Sequence, residues 1–338
     1  MGQALSLFLD LRPEKPLAAV VSSLTSPSMV EEIVSLEGAT ALKDLCHRLN
    51  PKARYTRANV AIYPDSHFIR HATLENPSKA REANFFETLL KTQYQMELSE
   101  NSVEILNPST GVPVDFEKVV PKEILITGAA HKDIVAMQSD VVAQGVYPER
   151  LELGTLSTLG GLMHYQRAQQ IGSNAVLLEW GAKQSLFCIC SAKRVELCRV
   201  IPFGTETLLE EIRNDVHFKD ISSVQKALSA GTFDFKEMGP LILKPFIKEL
   251  QASAGFFEVQ TGQPLKNFVI TLLPPAFGWV EDILTQYMGL TPLSIDYQGW
   301  FNTLGLKVRE NKIKIEELTR DHLGLVSLMI RGDGRGSK

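Results

Sequence analysis

Asn174-Ala175-Val176-Leu177-Leu178-Glu179-Trp180-Gly181-Ala182-Lys183-Gln184-Ser185 carries the reading of this chain, together with Phe187 to Cys190, a turn near Ala192-Lys193 and Val195 to Gly204. An apolar strand ends in a carboxylate and a glycine, and an up-and-down pair of strands follows. A glycine at a strand end lets a phosphate approach backbone N–H groups, and a carboxylate beside it can face a metal-bound phosphate.

The surrounding chain bounds what such a hairpin can serve. Its 338 residues suffice for two domains with separate cores. Apolar residues make up 44% and charged residues 22%, an ordinary balance for a globular protein. The formal net charge of -4 argues against nucleic acid as the main partner. No stretch approaches the roughly 20 apolar residues of a membrane span. The start lacks a basic segment followed by an apolar run and a cleavage site, so no secretory leader is expected. Four cysteines in this length form no disulfide framework. The expectation is a cytoplasmic protein, with attachment to a membrane face through a protein partner left open.

Elements follow from periodicity and punctuation. Strands are expected at Leu5 to Asp10 and Leu17 to Ser22, across the turn Arg12-Pro13-Glu14-Lys15-Pro16. Thr25 to Ser28 reads as loop and Ala39 to Leu49 as helix. Asn59 to Tyr63, Phe68 to Leu74 and Ile124 to Thr127 read as strands; Arg81 to Met96, Asp133 to Ala143 and Thr155 to Gln166 as helices. Leu151 to Leu153 is a brief strand. Beyond the central hairpin, helices are expected at 206–216, 222–229, 238–260, 277–287 and 321–330, with strands at 268–272 and 293–295. Gly332 to Lys338 reads as a disordered tail.

The order of these elements resembles the PilM-like and FtsA-like branch of the actin-like ATPase superfamily. Four segments carry the resemblance: Asn59-Val60-Ala61-Ile62-Tyr63-Pro64 with the strand after it, Glu123 to Tyr147, Ala175 to Gly204 with its turn Arg199-Val200-Ile201-Pro202-Phe203-Gly204, and Phe256 to Leu290. The resemblance implies an α/β, actin-like (ribonuclease H-like) two-lobed fold, with duplicated mixed sheets and an inserted small α+β subdomain. The first lobe would take residues 1–65 and 151–173, the insertion 66–150, the second lobe 174–316, and a returning C-terminal helix 317–331. In that family nucleotide lies in the cleft between lobes. The corresponding positions here are Asp10, Lys15, Glu179, Gly181, Lys183 and Gly204.

Several of those positions depart from the family pattern. The first loop, Asp-x-Gly in relatives, reads Asp10-Leu11-Arg12-Pro13-Glu14-Lys15. Pro13 removes a donor and Glu14 repels phosphate. The second loop has Glu179 for the usual Asp, and paired glycines become Gly204-Thr205. The ribose and base contact becomes Val224-Gln225-Lys226-Ala227-Leu228, and the adenosine loop Thr271-Leu272-Leu273-Pro274-Pro275-Ala276-Phe277-Gly278. Five regions altered in the same direction argue for a pseudo-ATPase without cofactor. Asp10 and Glu179 read either as remnants of a magnesium-phosphate site or as plain strand-end carboxylates.

Other candidates carry less. Cys188 and Cys190 share a strand face, a tight turn would turn Cys198 to the other, and buried inert thiols explain them better than a metal. His67 and His71 would lie about 13 Å apart on a strand. Ser157 and Ser185 lack the Gly-x-Ser-x-Gly setting of a nucleophile.

The resemblance therefore implies a non-catalytic scaffold of a type IV pilus or related secretion machine. Its partner would be the cytoplasmic tail of a PilN-like inner-membrane protein. The groove for that tail would lie near Tyr63, Phe68, Ile69 and Arg70, with Phe85, Phe86 and Leu89 on the adjacent helix; these aromatics serve equally as the subdomain's own core. The alternatives are an active actin-like ATPase using ATP with magnesium, or an FtsA-like filament former. Homo-oligomerisation and other pilus assembly partners stay open.

Overall fold

The computed structural model describes residues 5–23, 28–82, 84–231, 234–309 and 311–331. The chain opens with strands β1 (Ser6–Leu11), β2 (Leu17–Ser23) and β3 (Ser28–Ser35), helix α1 (Ala41–Leu49), β4 (Thr56–Ile62) and β5 (Phe68–Thr73). Then come α2 (Phe85–Tyr94), β6 (Asn101–Leu106), β7 (Glu123–Ala130), α3 (His131–Ala143), β8 (Val146–Leu153) and α4 (Gly154–Ala168). The central part holds β9 (Ala175–Glu179), β10 (Ser185–Cys190), β11 (Val195–Ile201), α5 (Thr205–Val216), α6 (Ile221–Ala230), the single turn α7 (Gly239–Ile242) and α8 (Lys244–Thr261). It continues with β12 (Asn267–Thr271), α9 (Gly278–Met288) and β13 (Thr291–Pro292). The chain ends in α10 (Tyr297–Leu304), β14 (Leu306–Val308) and α11 (Leu323–Arg331).

Two compact units result: residues 1–68, 72–171 and 295–338 form one, and residues 172–294 with 69–71 form the other. The first unit is built on a six-stranded sheet in the order β14-β3-β2-β1-β4-β8. Its centre is β1, antiparallel to β2 and parallel to β4. Leu7, Phe8 and Leu9 are all buried there. Such a continuous apolar run suits a strand covered on both faces. Helix α11 packs against α4 and β1, burying Leu323, Leu325, Val326, Leu328 and Met329. A second, three-stranded sheet in the order β5-β7-β6 carries its own core of Phe68, Leu90, Ile124 and Ile126 with partly buried Phe85, Phe86 and Leu89.

The second unit holds a five-stranded sheet, β11-β10-β9-β12-β13. β9 lies between antiparallel β10 and parallel β12, and all five of its residues are buried. Helix α8 begins with a proline in its first turn and stops at Gly262, whose φ of 66° is the left-handed cap that glycine accepts.

Several boundaries differ from those expected. The insertion was placed at 66–150, but its sheet ends at Ala130. Helix α3 and β8 belong with the six-stranded sheet: Val141 and Val146 pack with Leu7, Leu9 and Val60. The second lobe was carried to residue 316, yet the unit ends at 294, because β14 pairs in parallel with β3 and Trp300 meets Tyr165 of α4 edge-on. Strand β3 had no expectation beyond a loop at Thr25 to Ser28; Ser28 opens the strand, and residues 25–27 lie outside the described residues, as does the 332–338 tail.

Candidate functional site

In the first unit, β1 delivers Asp10 to its end with no exposure to solvent. The chain then turns back on itself. Arg12, 5% exposed, folds its guanidinium onto Asp10, with Nη2 donating to Oδ2 at 2.8 Å. Its other nitrogen, Nη1, lies 3.2 Å from Oδ1 of Asp321, which sits just before α11. Burial pushes the Arg12 pKa down, but Asp10, then Tyr63 and Asp321, outweigh it and hold the group above its ordinary value. A cation therefore occupies the inner side of the carboxylate permanently.

Backbone closes the rest of that space. A Cβ on Gly324, in the first turn of α11, would stand 3.1 Å from Asp10 Oδ2, 3.1 Å from Thr158 Oγ1 and 3.4 Å from Tyr63 OH. The start of α11 thus lies directly over the Asp10 carboxylate, where the positive end of a helix dipole favours a negative charge. Tyr297, fully buried, has its pKa raised well above the ordinary value by burial, and its hydroxyl donates to Thr319 O at 2.8 Å. Lys15 sits exposed at the tip of the β1–β2 turn, where Glu14 takes a φ of 64°.

In the second unit, β9 ends at Glu179, 2% exposed. Trp180 follows and turns inward. Its ring lies among Phe203, Phe246 and Phe277 at centroid distances of 5.9, 5.4 and 6.5 Å, and its indole N–H donates to Thr205 Oγ1 at 2.9 Å. Gly181 and Gly204 meet across the base of α5. A Cβ on Gly204 would stand 2.5 Å from Gly181 O and 2.7 Å from Ala182 O. That close approach lets the first two amides of α5, Thr205 and Glu206, donate to Gly181 O and Ala182 O at 3.0 and 2.8 Å. A helix start binds an anion through free amides of its first turn; here two are engaged by the hairpin's own carbonyls. Lys183 points from the exposed hairpin tip.

The other nucleotide-like segments are also turned to packing. Val224 of α6 is fully buried. In the 271–278 loop Leu272 holds a φ of 59° and Phe277 is buried against Trp180. Among the described residues no three His, Cys, Asp or Glu side chains are grouped to hold a metal ion.

The structure thus brings Gly181 and Gly204 together and pairs Asp10 with Arg12. Sequence reasoning had treated Arg12 only as a lost glycine. Its position two residues after Asp10, across a strand end, was the available signal. Cys198 corrects an expectation: it stands opposite Cys188, so the two share a face. A register shift between Ile189 and Cys190 accommodates the 191–194 turn. Burial pushes the Cys188 and Cys190 thiols up, Cys190 further than a thiol normally titrates, which keeps them protonated and inert.

The expected partner groove needs a correction too. Tyr63, Phe68 and Ile69 are 6%, 6% and 0% exposed. Tyr63 presses against Gly154, where a Cβ would fall 2.0 Å from its ring. These three are core residues. Arg70, Phe85, Phe86 and Leu89 are half-buried and keep some accessible surface.

No family model matches the sequence, and no curated protein matches it. Solved structures do. A chain of a PilM-PilN type IV pilus biogenesis complex matches with a TM-score of 0.67 at 16% identity, covering 98% of this chain and 99% of that one. A Bacteroides thetaiotaomicron protein with an actin-like ATPase fold and unknown function matches with a TM-score of 0.46 at 10% identity, covering 97% and 96%. The cytoplasmic domain of EpsL, an inner-membrane component of the type II secretion system of Vibrio cholerae, matches with a TM-score of 0.39 at 11% identity over 61% of this chain and 74% of that one. The chain shares the fold of that chain of the pilus complex along the whole length of both, as its order of elements led us to expect.

Proposed function

We propose that this protein is a non-catalytic scaffold of a type IV pilus or related secretion machine, which docks the cytoplasmic tail of a PilN-like inner-membrane protein. The observation that carries the non-catalytic part is the buried Asp10–Arg12 pair. A carboxylate already neutralised by an internal guanidinium, under the start of a helix, has little left to offer a hydrated magnesium ion, which keeps its waters and demands octahedral oxygen ligands. The engaged amides of α5 point the same way for phosphate. The likeness along the whole length to a chain of the PilM-PilN complex supports the assembly part.

Two measurements test the reading. Calorimetric titration of the full chain with ATP and magnesium is expected to give no saturable heat; binding in the submillimolar range, with turnover lost on Glu179→Ala, would replace the scaffold with an ATPase. Co-purification with the cytoplasmic segment of a single-span membrane protein encoded beside it is expected to succeed without nucleotide; a requirement for ATP would count against the proposal.

A further inference from the structure

The three-stranded sheet's subdomain carries a surface cavity of about 600 Å³. Its floor is aromatic. Phe85 and Phe86 meet edge-on at 5.1 Å between centroids, and Phe86 lies 4.5 Å from Phe116 at a tilt of 44°. Leu98, 39% exposed, extends the apolar surface.

Its rim is acidic. Glu82, Glu87 and Glu117 line the cavity and are exposed, and none of them forms an ion pair among the described residues. Arg81 is the single cation in the lining, and its guanidinium donates to Lys118 O at 2.9 Å. Of the nearby lysines, Lys118 pairs with Asp115 and Lys91 with Glu97, each at 3.0 Å, and Lys91 also attracts Glu87. Three carboxylates against one guanidinium leave a surplus of negative charge around an apolar floor.

We propose that this cavity is a docking site for a Lys/Arg-bearing segment of a partner protein, which inserts one bulky apolar side chain against Phe85, Phe86 and Phe116. Charge complementarity selects a basic occupant, and an apolar anchor in an aromatic pocket supplies the centre of the contact. Cytoplasmic segments beside membrane spans carry an excess of Lys and Arg. The source of the segment, a membrane protein's tail, rests on the scaffold reading above; the chemistry of the occupant rests on the cavity alone. The cavity draws on residues 80–117 only, and none of Tyr63, Phe68 and Ile69 lines it.

The test uses the full chain and two synthetic peptides with the same central Leu-Phe anchor, one flanked by Lys and Arg, the other by Glu. Fluorescence anisotropy is expected to show binding of the basic peptide only, weakening by about tenfold or more in the triple variant E82Q/E87Q/E117Q and with added salt. Unchanged melting of the variant keeps the comparison valid, and the single reversal E117K supplies a second variant should it shift. Equal binding of both peptides, or of the basic peptide to wild type and triple variant, overturns the proposal. The encoded membrane-protein tail is then run through the same series. A tail held equally by wild type and variant removes this cavity as its site and leaves the scaffold reading standing. A tail that wild type does not hold removes the scaffold reading, while a variant-sensitive basic peptide still upholds the cavity.

Discussion

Arg12 sits two residues from Asp10 on the same strand end, and both are almost fully buried. Removing one partner of a buried pair leaves an uncompensated charge, which costs about 3–5 kcal/mol. Replacing both with apolar or neutral groups of similar volume costs far less. Arg12→Ala is therefore expected to lower the melting temperature sharply in scanning calorimetry, and the double variant D10N/R12M to recover most of the loss. Equal destabilisation by the single and double variants would show that the pair is not coupled. The same pair marks where sequence reading stopped. Asp10 was legible as a strand-end carboxylate, and the missing glycine was legible as a loss. That the substitute reaches back to neutralise Asp10 depends on side-chain direction at the strand end, which the two-residue spacing permits but does not fix.

Helices α4 and α10 meet through a histidine. Trp300, fully buried, donates its indole N–H to Nδ1 of His164 at 3.0 Å, which requires a neutral ring with Nδ1 as the acceptor. Burial, then Arg167, holds the His164 pKa below its ordinary value. His322, beside the start of α11, is shifted the same way: burial and Arg12 lower it against an opposing contribution from Thr319. In the unfolded chain both rings titrate near about pH 6.5. The folded protein binds these protons less readily, so the unfolded state takes up more as the pH falls. The stabilisation is present above that range and is lost as the pH drops through the folded values. Melting temperature is expected to decline between about pH 7 and about pH 5, and His164→Asn, which keeps an acceptor for Trp300, is expected to flatten the decline. A pH profile identical in the variant would rule His164 out as a contributor. None of this contact was legible beforehand, because α10 was not anticipated. Tyr297–Leu304 is eight residues long between a loop and a three-residue strand, too short for periodicity to declare itself. The long periodic elements α3, α4 and α5 appear where their spacing put them, and the helix expected over 238–260 is broken at Leu243 into α7 and α8. The nucleotide-like hairpin was legible because a strand, a carboxylate and a glycine fall in sequence; the three-sided cavity at 80–117 was not, since Phe116 and Glu117 come from a loop far from α2 along the chain.

At the level of the whole molecule, the two units differ in how the chain supplies them. The large core cluster of the second unit draws all its residues from 176–290. The first unit draws on both ends of the chain, since β14 pairs with β3 and α11 packs on α4 and β1. A fragment spanning residues 172–294 is expected to unfold cooperatively on its own, while one ending at residue 294 is expected to show only that transition, its first unit left without α11. Two full transitions from the shorter-ended chain would show that α11 is dispensable. The parallel contact between β14 and β3 also sets an order of events during synthesis. A ribosome has made every residue of the second core before it reaches the strand and helix that finish the first. The amino-terminal sheet must therefore wait, open along one edge, while the part translated after it closes first. That waiting edge leaves the backbone groups of β3 unpaired on the nascent chain, the kind of surface that other strands or chaperones can take up.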